Sequence, residues 1–173
     1  SYELEEELKS AEKFDRLDRV REIAELADIH YVRQKERDGL GDAVTYAKNH
    51  VGDDAFALLL GDTIIQSDTP CTERLIREAE TNETSTISLE RVPWDDVPSY
   101  GVADIEATPS SQSSFPVTDF VEKPARDAAP SNLAITGRYV LTSEIFDALA
   151  ATSKGVGGEL QLHEQIRKLH AVR

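Results

Sequence analysis

"AFALLLGD", residues 55–62, is a continuous apolar run of strand length that stops at Gly61-Asp62. Such a run predicts a strand buried on both faces in a parallel sheet. It sets the carboxylate of Asp62 at the strand's carboxyl end, where open α/β sheets bind ligands. Reading outward, "DAVTYAKNHV" (42–51) has helical spacing before the run, and "PCTERLIREAETN" (70–82) opens a second helix, with Pro70 suited to a first turn. "TSTISLERV" (84–92) then reads as the next strand. The alternation of strand and helix predicts an α/β fold with a doubly wound sheet.

The flanks extend the pattern. In the first 27 residues Leu4, Leu8, Ala11, Phe14, Leu17, Val20, Ile23 and Ala24 recur at steps of three and four, which predicts one or two amphipathic helices. "IHYVRQ" (29–34) alternates like a strand, and "ERDGLGD" (36–42) has the glycines of a loop. "YGVADIEA" and "PVTDFVEKP" read as strands joined by the polar "TPSSQSS", an exposed hairpin connection. "LAITGRYVL" is a further strand, "TSEIFDALAAT" a helix opened by a capping box around Thr142, Ser143 and Glu144, and "GELQLHEQIRKLH" a closing helix. No internal repeat or dividing linker is visible, so one domain is expected.

Composition excludes several partners. Thirty-three acidic residues against nineteen basic ones give a formal charge of -14, which repels nucleic acid and anionic lipid. A phosphate-bearing substrate would need a local cluster of donors and a divalent cation. The single Cys71 offers neither a disulfide nor a paired-cysteine metal site. With no long apolar run, a soluble cytoplasmic protein is expected. The carboxylate excess suits a protein kept soluble in high salt, and equally an ordinary acidic cytosolic one.

Several positions are chemically suggestive. In "RQKERDGLGDA" (33–43) the glycines would let backbone N–H groups approach a ligand, and Gln34 could present a donor and an acceptor to a base edge; a plain turn explains the same residues. Asp62 is a candidate Mg2+ ligand or a turn cap. Glu122 and Lys123, adjacent before Pro124, would face opposite ways on a continuing strand. Glu122 could accept from hydroxyls and Lys123 meet a phosphate, or the two could form a surface ion pair. Gly101 and Gly137 are candidates for close ligand approach or for bulges. The histidines His30, His50, His163 and His170 lack metal-ligand spacing and read as surface or core residues.

Taken in order, "SYELE", "YVRQKERDGLGDAV", "FALLLGD", "SYGV", "FVEKP", "GRYVL" and "GGELQL" resemble the bacterial-type UTP-glucose-1-phosphate uridylyltransferases of the sugar-phosphate nucleotidylyltransferase superfamily. The resemblance runs across essentially the whole chain. It implies a Rossmann-like nucleotide-diphospho-sugar transferase fold with a mixed, mainly parallel central sheet flanked by helices. It also implies the Mg2+-dependent conversion of UTP and glucose 1-phosphate to UDP-glucose and pyrophosphate, by in-line attack without a covalent intermediate. Gln34 and Gly39 match the residues that read the uracil edge, Gly61 and Asp62 lie at the nucleotide, and Asp62 matches the metal aspartate. Tyr100, Gly101 and Glu122 match sugar contacts, Lys123 matches the lysine on the sugar phosphate, and Gly137 and Glu159 lie in matching sugar-site segments. A homo-oligomer is expected.

The chain also departs from that pattern. The family's glycine-rich "GxGTR" loop is expected before Ser1 and its later Asp-Gly metal segment after Arg173. Residues 1–173 are thus expected to be the central part of a single nucleotidyltransferase domain, inactive alone. The usual Asp-Asp after the central strand is Asp62-Thr63, and the usual "QLTDA" is "QLHEQ" at 161–165. A dTTP-dependent thymidylyltransferase of the same superfamily and a non-catalytic nucleotide-sugar-binding module are the rival expectations.

Overall fold

The computed structural model describes residues 2–106, 114–151, 160–167 and 169. They form two compact units, Ser1–Arg33 and Gln34–Arg173. In the first, α1 (Tyr2–Ser10) and α2 (Phe14–Glu25) realise the helical spacing, and Arg21 Nε donates to Glu5 Oε2 at 3.1 Å between them. The predicted strand at 29–34 is not formed: the stretch has no regular secondary structure, and Tyr31 is 92% exposed. Alternation marks a segment able to line a sheet. A strand exists only where a ladder satisfies its backbone, and no described strand pairs there.

The second unit is built on one long strand. Its strands are β1 (Phe56–Leu59), β2 (Thr86–Arg91), β3 (Gly101–Ile105), β4 (Val117–Glu122) and β5 (Leu133–Leu141). β2 pairs along one edge of β5, from Arg91 opposite Leu133 to Thr86 opposite Val140. The other edge is shared: β1 pairs with residues 138–141, and β3 pairs at Ala134. β3 and β4 form an antiparallel pair; the "TPSSQSS" stretch expected to connect them lies, up to residue 113, outside the described residues.

Every ladder among the described strands is antiparallel, which corrects the expectation of a mainly parallel sheet. β1 is likewise not buried on both faces; Phe56 and Leu58 turn inward while Ala57 and Leu59 are exposed. An apolar run reports burial and says nothing of the direction of the strand beside it.

Helices cover both faces, because successive β5 side chains alternate. Tyr139 and Leu141 join Ile87 and the helices α3 (Leu40–Thr45), α6 (Glu144–Ala150) and α7 (Leu162–Ile166) in the main core, through Val44, Ile145, Phe146, Leu149, Leu162 and Ile166. On the opposite face α5 (Cys71–Asn82) lies against β2, where Thr86 Oγ1 donates to the Leu75 carbonyl at 3.0 Å. Burial of each large core side chain contributes about 1.5–3 kcal/mol.

Local details differ from expectation in three places. The helix expected from 42 breaks at Tyr46–Ala47 into α3 and the short α4 (Lys48–Val51). Pro70 stands at the N-cap of α5 rather than within its first turn. No capping box opens α6: Ser143 makes no side-chain cap bond, and its hydroxyl donates to the Asp53 carbonyl at 3.1 Å, tying the helix start to the turn before β1.

Candidate functional site

The shared edge of β5 brings two strand ends together. β1 ends with Leu59 opposite Arg138, and Val102, the second residue of β3, pairs with Ala134, so the two strand ends face each other along β5 across residues 135–137, where β5 bulges against β2. β4 runs back along β3 and ends with Glu122 opposite Gly101. Asp62 follows the end of β1. Lys123 follows the end of β4. Two candidate positions far apart in sequence therefore open onto Ile135–Gly137.

The Asp62 turn is held by backbone and by one arginine. Leu60 N–H donates to the Gly137 carbonyl at 3.0 Å, Arg138 Nη1 donates to the Leu60 carbonyl at 2.9 Å, and Arg138 Nη2 donates to the Thr63 carbonyl. Arg138 therefore bridges both ends of the turn that carries Asp62. Asp62 itself is exposed, with Thr63 Oγ1 at 3.5 Å as its contact. A Cβ on Gly61 would meet nothing within 4 Å, so its small size answers no internal packing need. Gly137 is different: φ is +71°, and a Cβ would lie 3.1 Å from Leu60.

At the other point Lys123 has φ +45°. This left-handed conformation costs a non-glycine residue about 1–2 kcal/mol, and a residue before proline ordinarily sits extended. The Lys123 N–H donates to the Tyr100 carbonyl at 3.0 Å, and Pro124 is buried, so both sides of the strained residue are fixed. The turn brings Lys123 Nζ to 3.9 Å from Glu122 Oε1, with both side chains more than half exposed. An exposed pair of this kind contributes about 0–1 kcal/mol, too little to account for the strain. Backbone strain held this way is a mark of functional positions.

Behind Glu122 lies a polar chain. Glu122 Oε2 is 4.0 Å from His163 Nδ1, and His163 Nε2 is 2.9 Å from the Tyr139 hydroxyl. A Cβ on Gly101 would come within 2.9 Å of Glu122 Oε2 and 3.3 Å of Ile135, so this glycine makes room for the carboxylate. Burial, and secondarily the Glu122 charge, pushes the Tyr139 phenol far above its usual value. Burial lowers His163, with the Glu122 charge opposing it in part. Tyr100 is 43% exposed beside this point.

Gln34 belongs to a third cluster. Its Nε2 donates to Asp42 Oδ2 at 2.6 Å and, more weakly, to the Gly39 carbonyl at 3.4 Å. That fixes the amide orientation and leaves Oε1 as the acceptor available to a ligand. Gly39, at φ +95°, is the N-cap of α3. The loop is pinned from the far end of the chain: Leu160 N–H donates to the Asp38 carbonyl at 2.7 Å, and Gly41 N–H to the Leu160 carbonyl at 2.9 Å. Glu159 lies outside the described residues.

Residues 1–171 match the nucleotidyl transferase family. The chain belongs to that family. It is 46% identical over its full length to a UTP--glucose-1-phosphate uridylyltransferase of Bacillus subtilis, covering 59% of that protein. It is also 46% identical over 98% of its length to one of Staphylococcus epidermidis, covering 58%. The chain thus spans somewhat more than half of the curated relatives it matches. Among solved structures, UDP-glucose pyrophosphorylase complexed with UDP-glucose superposes with a TM-score of 0.82 at 32% identity, over 94% of this chain and 63% of the other. UTP-bound UGPase from Acinetobacter baumannii gives 0.84 at 34% identity, over 99% and 61%. A glucose-1-phosphate thymidylyltransferase of Bacillus anthracis, described as putative, gives 0.60 at 26% identity, over 79% of this chain and 50% of the other.

Arg138, which holds the Asp62 turn, and His163, which stands between Glu122 and Tyr139, are the side chains of this candidate site that sequence reading did not single out. The signal for Arg138 was a cation inside the apolar strand "ITGRYVL". The signal for His163 was its place in "QLHEQ", where the pattern has "QLTDA", but its partners come from β4 and β5, some 40 and 24 residues away.

Proposed function

We propose that this chain forms the substrate-binding centre of a uridylyltransferase that makes UDP-glucose and pyrophosphate from UTP and glucose 1-phosphate. The observation that carries the reading is the strained Lys123, adjacent to Glu122 and on the same side of β5 as Asp62, with β3 between it and β5. Likeness to UDP-glucose-bound and UTP-bound pyrophosphorylases supports it.

In this reading the Gln34 Oε1 acceptor meets the N3–H of uracil, and the Gly39 backbone lies along the base. Gly61 lets the nucleotide approach the end of β1. Tyr100, Gly101 and Glu122 line the sugar, with Glu122 accepting from its hydroxyls, while Gly137 and Glu159 belong to the same sugar side. Lys123 holds the glucose 1-phosphate dianion in line with the α-phosphorus of UTP. A phosphate oxygen of glucose 1-phosphate attacks that phosphorus, the bond to the bridging oxygen breaks, and pyrophosphate leaves with the electron pair.

Among the described residues no three His, Cys, Asp or Glu side chains gather as a ligand set. The lone exposed Asp62 fits Mg2+, which is commonly held by one or two carboxylates and completes its shell with phosphate oxygens and water. When bound, the cation offsets phosphate charge. No described helix is long and apolar enough to cross a membrane; a cytoplasmic homo-oligomer acting on small molecules is the form we propose.

Pyrophosphate release by the complete protein, measured with UTP and with dTTP, tests the reading. UTP is expected to be the preferred substrate, in keeping with the weaker likeness to the thymidylyltransferase. Preference for dTTP would transfer the chain to that class, and UDP-glucose binding without turnover would make it a binding module.

A further inference from the structure

The Tyr139, His163 and Glu122 chain suggests more than packing. The His163 ring sits between two aromatic side chains, with ring centroids 6.1 Å from Phe120 and 6.0 Å from Tyr139, which fixes its orientation. Its two nitrogens face different partners. A carboxylate beside Nδ1 favours the tautomer with the proton on that nitrogen, so Nε2 must accept and the Tyr139 hydroxyl must donate. Tyr139 is 1% exposed on a central strand, and so anchors the chain rigidly. The Nδ1–H then points toward Glu122 Oε2 across 4.0 Å, beyond hydrogen-bond length, and a carboxylate movement of about 1 Å closes it.

Glu122 thus has a different neighbour for each oxygen. Oε1 is 3.9 Å from Lys123 Nζ, and Oε2 is 4.0 Å from His163 Nδ1. Gly101 leaves space beneath it. We propose that His163 is a positioning residue for the sugar site: anchored by Tyr139, it donates to Glu122 Oε2 when substrate is bound and so aims Oε1 at a sugar hydroxyl beside Lys123. This rests on Glu122 being the sugar-binding carboxylate.

The two nitrogens can be tested separately. An asparagine amide can take the place of the Nδ1 donor without reaching Tyr139, whereas a glutamine amide reaches the Nε2 position and abandons Glu122. Steady-state kinetics of the complete protein with His163→Gln should show KM for glucose 1-phosphate raised about tenfold, the loss expected for one hydrogen bond to a charged group, with KM for UTP unchanged. His163→Asn should stay within about twofold of the parent, because the donor to Glu122 is kept. In a Glu122→Gln background, His163→Gln should add less than about twofold.

The proposal is overturned if His163→Gln leaves KM for glucose 1-phosphate unchanged, if Asn rather than Gln is the damaging replacement, or if the Gln effect persists undiminished without the Glu122 carboxylate. Thermal melting of each variant separates misfolding from mispositioning, and the Asn variant, which abandons Tyr139, carries the larger folding burden. Failure of the underlying reading looks different: Glu122→Gln alone would then leave glucose 1-phosphate kinetics untouched. A raised KM in Glu122→Gln with none in His163→Gln would sink this inference only.

Discussion

Replacing Gly137 by alanine should unfold the turn that carries Asp62 before it affects anything else. Gly137 has φ +71°, and the added Cβ would sit 3.1 Å from both Cβ and Cδ1 of Leu60 and 3.2 Å from its Cγ. The left-handed conformation costs alanine about 1 kcal/mol or slightly more. The squeeze against Leu60 resembles overpacking and adds about 1–3 kcal/mol. Together they give about 2–4 kcal/mol. Relief requires Leu60 to move, which would strain the Leu60 N–H to Gly137 bond and the Arg138 bridge to Leu60 and Thr63. Urea unfolding of parent and variant measures the cost, and pyrophosphate release measures displacement of Asp62. Gly61→Ala is the internal control, since its Cβ meets nothing within 4 Å; it should leave stability within about 0.5 kcal/mol. If it raises KM for UTP all the same, the open space is where nucleotide approaches. A Gly137→Ala variant as stable as Gly61→Ala would refute this reasoning.

Other outcomes follow from single contacts. Gly41→Ala places a Cβ 2.6 Å from the Leu160 carbonyl oxygen, and should lower stability by about 1–3 kcal/mol or more, read by thermal melting. Asp42→Asn removes the charge that orients the Gln34 amide across 2.6 Å; KM for UTP should rise while KM for glucose 1-phosphate holds. Stability should decline at both ends of the pH range, as equilibrium unfolding against pH would show. His163 is lowered by burial in the folded state, so on acidification below about 6.5 the unfolded chain takes up its proton first and folding loses free energy. Tyr139 is raised, so above about pH 10 the unfolded chain gives up its proton first, with the same consequence. His163→Asn should flatten the acid limb.

What sequence reading captured was local. Helical periods in the first 27 residues, the strand at "TISLER" and the strands β3 and β4 are legible from neighbours within a few positions, and all are present. The direction of the sheet was not legible in "AFALLLGD", because an apolar run reports burial without naming the strand beside it. "IHYVRQ" carried strand alternation without a described partner to complete it. Glu122 and Lys123 were legible as chemistry, but their geometry was not: the left-handed Lys123 depends on Tyr100, 23 residues earlier, holding its N–H. Arg138 and His163 were overlooked for a similar reason, since each acts on residues 24 or more positions away.

The central claim is that Lys123 serves one substrate, the sugar phosphate. Lys123→Ala in the complete protein, assayed for pyrophosphate release with each substrate varied in turn, tests it most directly. Glucose 1-phosphate utilisation should fall by about 100-fold or more, as for loss of a charge contact to phosphate, with UTP binding close to the parent's. An equal loss toward both substrates, or no loss at all, would contradict the account.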